Sequence, residues 1–418
     1  MPDPSSTSSL RNPGADVAPG LRTSCAVVLA VVLGYGLLTL PILARNGFDP
    51  SVFIHAGDRF VDPAHLESPI IVKLHADGYD GQFYYRMALA PLRMQQPALG
   101  IRFDSPRWRV QRIVYPLLAW VAAFGHAAAV PATMVLVNLL GLGAIATVAL
   151  RLTARLRLPT LTPLAIMLWP GFVIALTHDT TEIVATAFLL GALDCYFAKR
   201  LLAYAGLGVL ASLTRETSIL LLGGILCFEA AQAVRPAAAG QRWHRVLICG
   251  LALVPFLVWW GVLRLIWDQS PQETIAHGDL GWPFAGAAEM LRDTLTGVRR
   301  FAPGPGMNAA IGAYLLGSAA WLLGFCAVVA ARTPVVLRVA GTGALAAGWL
   351  PIVALMSLLT ADGPWIDQTA FFRAFTECYV VGCLVLAVRP VPRWLTWLIL
   401  AGGALAFLGA WVLTVGEK

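Results

Sequence analysis

The sequence predicts an all-α polytopic membrane protein, and three observations carry the prediction. Of 418 residues, 58% are hydrophobic and only 13% are charged. The mean hydropathy is +0.71. The apolar residues fall in runs close to, or somewhat shorter than, the ~20 that cross a bilayer as a helix. Together these exclude an ordinary soluble domain. Eleven runs qualify, at about 25–44, 132–150, 161–177, 181–198, 201–213, 217–233, 246–266, 311–331, 339–359, 374–388 and 394–414.

Taken in order, residues 1–24 are rich in Ser, Pro and Gly and read as a disordered cytoplasmic tail. The run at 25–44 is longer than a signal-peptide core and lacks a small-x-small cleavage site, so it reads as an uncleaved signal anchor. Basic residues then set the orientation, because cytoplasmic loops are enriched in Lys and Arg. They cluster at Arg151/Arg155/Arg157, Lys199/Arg200, Arg235/Arg242/Arg245, Arg332/Arg338 and Arg389/Arg393. With all five groups in the cytosol and the N-terminus cytoplasmic, the parity closes only if the extra apolar run at 113–129 does not cross. That run, opening Ile113-Val114-Tyr115-Pro116, is therefore expected to be a juxtamembrane or re-entrant helix. It leaves the loop 45–130 extracytoplasmic, within a membrane module spanning 25–230. Residues 231–418 supply further membrane helices and a second outer loop at 267–310.

Other features exclude whole classes. The net charge of +7 follows from topology and anionic lipid, and no basic stripe on a soluble domain points to nucleic acid. The seven cysteines lie in or beside apolar spans with no CxxC pair, as small buried hydrophobes do. There is no internal repeat and no Walker, Rossmann or HExxH pattern.

Charge inside a bilayer costs about 2.5–3.5 kcal/mol near a helix centre, so the positions of ionisable residues carry information. Transporters place such groups near the midplane. Here they gather toward one face: His75, Asp77, Asp80, Arg112, His178, Asp179, Glu182, Arg215, Glu216, Arg373 and Glu377, with Asp362 and Asp367 in an outer loop. The densest group is His75-Ala76-Asp77-Gly78-Tyr79-Asp80-Gly81-Gln82-Phe83-Tyr84-Tyr85. One reading makes Asp77 and Asp80 turn or cap residues for a short helix at 82–90. The other makes one carboxylate a general base on an acceptor hydroxyl while the second positions it or helps hold a divalent cation. On that reading Gly81 allows close approach by substrate, and Tyr79, Phe83, Tyr84 and Tyr85 stack on a sugar or sit as interfacial aromatics. Arg112 suits bidentate phosphate binding, whereas its neighbours Arg107 and Arg109 suit headgroup anchoring. Asp179 and Glu182 are three apart at a helix start, where acids also favour the dipole. Glu216 reads best as an internal ion pair with Arg215. Arg373 and Glu377, four apart, either pair with each other or leave Arg373 for a phosphate.

These residues resemble the GT-C superfamily, membrane glycosyltransferases that use polyprenyl-phosphate sugars. Asp80-Gly81-Gln82-Phe83-Tyr84 is similar to the W-D-(G/A)-x-(W/H)-(Y/F) pattern of the mannosyltransferase branch, with Tyr79 for Trp. Arg112-Ile113-Val114-Tyr115-Pro116-Leu117-Leu118-Ala119-Trp120 resembles the K-P-P-L-x-x-W element of the protein-mannosyl and aminoarabinose transferase branch. A bacterial family associated with cell-surface glycopolymer formation carries similar D-G-Y-D-G-Q-F-Y-Y, R-x-x-Y-P-L-L-A, D-x-T-E and L-T-R-E-T runs, matching in order over about 25–230. The resemblance implies a bacterial inner-membrane enzyme. It would move a sugar from a polyprenyl-phosphate donor to a cell-surface glycan or glycolipid on the extracytoplasmic face. Asp80 or Asp77 would be the base, Arg112, Arg215 and Arg373 would face the donor phosphate, and His75, Gln82, Tyr84, His178, Asp179 and Glu182 would bind substrate. A flippase or exporter of lipid-linked saccharide and a non-catalytic subunit of a glycopolymer assembly complex are the rival expectations.

Overall fold

The computed structural model describes residues 20–234, 239–267, 280–298, 304–339, 341–361, 364–365 and 368–417. Most of the expected tail at 1–24, parts of the loop 267–310, Arg235, Asp362 and Asp367 lie outside the described residues. Helix α1 (Leu21–Arg45) leads into a folded loop carrying α2 (Gly81–Leu89), α3 (Pro106–Val110) and α4 (Val114–Ala122). Then come α5 (Val130–Leu156), α6 (Thr162–Met167), α7 (Pro170–Thr177), α8 (Glu182–Phe197), α9 (Leu201–Thr214) and α10 (Ser218–Ala233). The chain continues through α11 (Ala239–Leu251), α12 (Val254–Ile266), α13 (Ala285–Leu295), α14 (Pro305–Leu337), α15 (Gly343–Leu358), α16 (Gln368–Ala374), α17 (Thr376–Ala387) and α18 (Arg393–Glu417).

All eleven predicted runs are helical. Five segments are long and apolar enough to cross a bilayer: Arg22–Arg45, Ala127–Leu156, Trp243–Ile266, Pro305–Leu337 and Arg393–Glu417. Their outer faces leave leucines such as Leu33, Leu37 and Leu405 more than half exposed, as a lipid-facing surface requires. Helices α9, α10, α15 and α17 are apolar but shorter, at 10–17 residues.

Two predicted spans are interrupted. The run at 161–177 breaks between α6 and α7, where Pro170 sits in the first turn of α7 and supplies no amide hydrogen. The run at 246–266 breaks between α11 and α12, again with Pro in the first turn. Apart from a 3-10 turn at Ala127–Ala129 that leads into α5, the extra run at 113–129 yields only the nine residues of α4. At 1.5 Å per residue that is about 13 Å, well short of a ~30 Å hydrocarbon core.

Small residues bring the helices close. A Cβ on Gly224 of α10 would fall 2.2 Å from the Ala347 carbonyl oxygen of α15, and one on Gly171 of α7 would fall 2.6 Å from that of Phe372 in α16. The second contact matters most for function, because it brings the α16 segment carrying Arg373 against α7 and the turn leading to Glu182. The loop also has its own core, in which Ile54, Val61, Phe83, Tyr84, Tyr85, Met87, Phe103 and Tyr115 pack together. A short parallel pair, β1 (Ala56–Gly57) with β2 (Val72–Lys73), registers Ala56 on Val72.

Candidate functional site

The motif at 75–85 is a tight turn wedged against the bundle. Gly78 has φ +71, and a Cβ there would meet the Gln82 side chain and the backbone of Gly57 and His55. Gln82 closes the turn: its Oε1 accepts from the Gly57 amide at 3.1 Å and its Nε2 donates to the Asp77 carbonyl at 2.8 Å. Buried to 1% exposure, Gln82 is a backbone clip. Gly81 likewise makes room for protein: a Cβ would sit 2.6 Å from the His178 carbonyl oxygen and 2.7 Å from that of Ile54.

This packing aims Asp80. It occupies the N-cap position of α2 but makes no side-chain capping bond. Its carboxylate turns instead to two arginines, with Oδ1 accepting from Arg109 Nη1 at 2.7 Å and Oδ2 from Arg373 Nη2 at 2.8 Å. From there the ion pairs continue in both directions. Arg109 also holds Asp104 at 2.6 Å. Arg373 donates twice to Glu182 Oε1, at 3.0 and 2.8 Å. Glu182 lies 3.8 Å from Arg215, whose Nη1 reaches Glu377 at 2.5 Å. Beside the chain, Arg112 grips Glu216 bidentately at 2.8 and 2.6 Å and donates to the Tyr84 hydroxyl at 2.8 Å.

The pairing differs from the local expectations. Glu216 pairs with Arg112 rather than Arg215, and Glu377 pairs with Arg215 rather than Arg373. In both cases bonds across the fold replace those available between near neighbours in the chain. Links between Arg373 and Asp80, and between Glu377 and Arg215, also join residues on either side of position 230. The cluster holds four guanidinium groups (Arg109, Arg112, Arg215, Arg373) against five carboxylates (Asp80, Asp104, Glu182, Glu216, Glu377). Burial drives the Asp80 carboxyl pKa upward, but the charges of Arg109, Arg373 and Arg112 outweigh it and hold the group below the usual carboxylate range. Glu216 is lowered in the same way, burial being offset by Arg112.

Thus Asp80, Arg112, Tyr84, Glu182, Arg215 and Arg373 come together. Asp77 does not join them: it is exposed and pairs with exposed Arg59 at 2.8 Å. His75 is exposed on a left-handed backbone of φ 55, its amide donating to Asp58. Asp179 is buried on a left-handed backbone. Burial, and then the Asp179 carboxylate, push the Tyr115 phenol up. Phe83, Tyr84 and Tyr85 are at most 2% exposed; they are core residues of the loop, since their hydrophobic bodies close it against the bundle. Among the described residues no three His, Cys, Asp or Glu side chains are grouped to hold a metal. Both Asp80 oxygens are occupied by guanidinium groups, so Asp77 and Asp80 do not fit a shared divalent cation.

Sequence reasoning missed Arg109, the guanidinium nearest Asp80. Its spacing of three from Arg112 was the available signal, because such spacing places two side chains on one side of a helical turn. It also missed His55, which meets His178 edge-on at 4.7 Å between ring centres. The His178 ring lies 4.7 Å from that of Tyr79. The same Tyr79 ring has the Arg373 guanidinium 4.9 Å from its centre. His178 Nδ1 lies 2.9 Å from the Ile174 carbonyl, which only accepts, so Nδ1 carries the hydrogen.

No family model matches the chain, and no curated protein does. Among solved structures it is similar to ArnT from Cupriavidus metallidurans in the apo state. The identity is 16% and the TM-score 0.36, over 92% of this chain and 78% of that one.

Proposed function

We propose that this chain is a GT-C-type membrane glycosyltransferase that moves a sugar from a polyprenyl-phosphate donor to a cell-surface glycan or glycolipid at the extracytoplasmic face. The observation that carries the reading is the position of Asp80. It bridges Arg109 and Arg373 within a chain of arginines and carboxylates, on the motif that resembles the superfamily's acidic loop.

Four arginines in a low-dielectric setting suit the charge that develops on a departing phosphate. Each is already satisfied by a carboxylate, so an incoming phosphate must compete for one. Arg109 is the most available: both it and Arg373 are held twice by a carboxylate, but its side chain and that of its partner Asp104 are 15% and 31% exposed, against 8% and 1% for Arg373 and Glu182. Transfer of Arg109 from Asp80 to the donor phosphate removes the strongest charge depressing the Asp80 pKa and makes Asp80 a better base. Asp80 then takes the acceptor hydroxyl proton as the oxygen attacks the anomeric carbon. The C–O bond to the phosphate breaks, the phosphate leaves with the bonding pair, and the sugar is inverted. Arg112 and Arg215 act as secondary phosphate partners or as supports for Glu216 and Glu377.

The test is transfer from a panel of polyprenyl-phosphate sugars by the purified protein in lipid vesicles. Asp80→Asn is expected to slow transfer by about 10²–10⁴-fold, the usual worth of a positioned base. A folded, inserted Asp80→Asn protein that transfers at the wild-type rate removes Asp80 from the mechanism.

A further inference from the structure

A cavity of about 470 Å³ is lined by His55, Lys73, Asp77, Tyr79, His178 and Thr369 on its polar wall. The other wall is Ile311 and Leu315 of α14 with Leu413 of α18. Both helices belong to segments long and apolar enough to cross a membrane. The cavity is therefore two-faced, with ring and hydroxyl groups from the loop, the end of α7 and α16 meeting aliphatic side chains of α14 and α18. We infer that it is the acceptor subsite, and that the acceptor is a lipid-anchored saccharide with a neutral sugar head. This rests on the transferase reading above and extends it.

Three features favour this occupant. First, the aromatic wall suits a sugar: Tyr79 and His178 lie 4.7 Å apart and His55 stands edge-on to His178. Second, charge argues against the donor phosphate. Among the described residues the lining holds one lysine, Lys73, against the carboxylates Asp77 and Glu417, while the four guanidinium groups belong to the ion-pair cluster that includes Asp80. The Lys73 ammonium lies 3.1 Å from His55 Nε2. Since an ammonium only donates, His55 is the neutral acceptor there. Third, Tyr79 is shared between the two regions. Its ring faces Arg373 at 4.9 Å, its hydroxyl donates to Thr369 at 3.3 Å, and the next residue is Asp80. A sugar resting on Tyr79 would have a hydroxyl beside the proposed base, and its lipid tail would leave along Ile311, Leu315 and Leu413.

The test uses the full chain in lipid nanodiscs and a photoreactive long-chain alkyl glucoside, with methyl glucoside and a polyprenyl phosphate as competitors. Saturable labelling of peptides containing residues 55–79 and 311–315 is expected, with methyl glucoside at least about tenfold weaker as a competitor. Ile311→Trp and Leu413→Trp, which fill the apolar wall, are each expected to weaken labelling about tenfold. His55→Leu tests the polar wall independently and is expected to do the same. Equal competition by methyl glucoside overturns the lipid-anchored assignment. Displacement by stoichiometric polyprenyl phosphate makes the cavity the donor's and overturns the acceptor assignment. Labelling that none of the three variants alters is partition into lipid and overturns the site. Labelling needs no turnover, so the two readings fail separately. A protein that labels as expected but transfers no sugar sinks the transferase reading alone. One that glycosylates a soluble glycan without labelling sinks only this inference.

Discussion

Arg373→Gln is the most revealing single perturbation of the ion chain. It removes both bonds to Glu182 and one to Asp80, leaving Glu182, at 1% exposure, with Arg215 at 3.8 Å as its remaining ion-pair partner among the described residues. Stranding a buried charge in this way costs about 3–5 kcal/mol, or two to three and a half powers of ten in the folding equilibrium at about 1.4 kcal/mol per tenfold. Neutralising the partner as well, in Arg373→Gln/Glu182→Gln, relieves the stranded charge. The double variant should therefore recover about 1–3 kcal/mol relative to the sum of the single changes. Four buried free cysteines, Cys249, Cys326, Cys378 and Cys383, provide the assay. Their reactivity toward a thiol dye during thermal or denaturant unfolding in lipid nanodiscs reports the loss of the core. Additivity of the two changes to within about 0.5 kcal/mol would refute the view that these residues act as one unit.

Three further outcomes follow from the same geometry. Gly81→Ala should destabilise by about 1–3 kcal/mol and reduce transfer as well, because its Cβ meets two backbone carbonyl oxygens that cannot rotate away; unchanged transfer would separate the Gly81 contact from Asp80. Asp77→Asn should change stability by less than about 1 kcal/mol, because its exposed pair with Arg59 is screened by water. In steady-state assays it should affect KM for acceptor more than kcat, the reverse of Asp80→Asn. The Asp80 pKa is lowered in the fold, so its contribution to stability is fully present above the unfolded value of about 3.9 and is lost as pH falls through the lower folded value. Denaturation midpoints of wild type and Asp80→Asn should therefore differ by a constant amount between about pH 5 and 8 and converge only in strong acid. Convergence near neutrality would show that Asp80 is not held ionised by its arginines.

Much of this was legible in the chain because it depends on local composition. A bilayer demands long apolar helices, so hydropathy alone located the eleven runs, and charge counting singled out 113–129, whose main helix α4 has only nine residues. The motif at 75–85 stood out because charged residues are rare in so apolar a chain. Pairing was not legible. Local spacing suggested Arg215 with Glu216 and Arg373 with Glu377, whereas each group is satisfied by a residue more than a hundred positions away.

The sequence by itself determined the class of protein, the approximate helices and the polar loop, because backbone hydrogen bonding in lipid leaves few alternatives. The tertiary structure decided what the loop does. Gly81, reserved by sequence reasoning for substrate, accommodates the His178 backbone; Gln82 clips the turn; and Asp77 points to solvent while Asp80 reaches Arg109 and Arg373. Choosing between two aspartates three residues apart requires the direction of each side chain. That direction is set by the close approach of the loop to α7 and of α7 to α16, which together bring Arg373 to Asp80 across 293 positions of the chain.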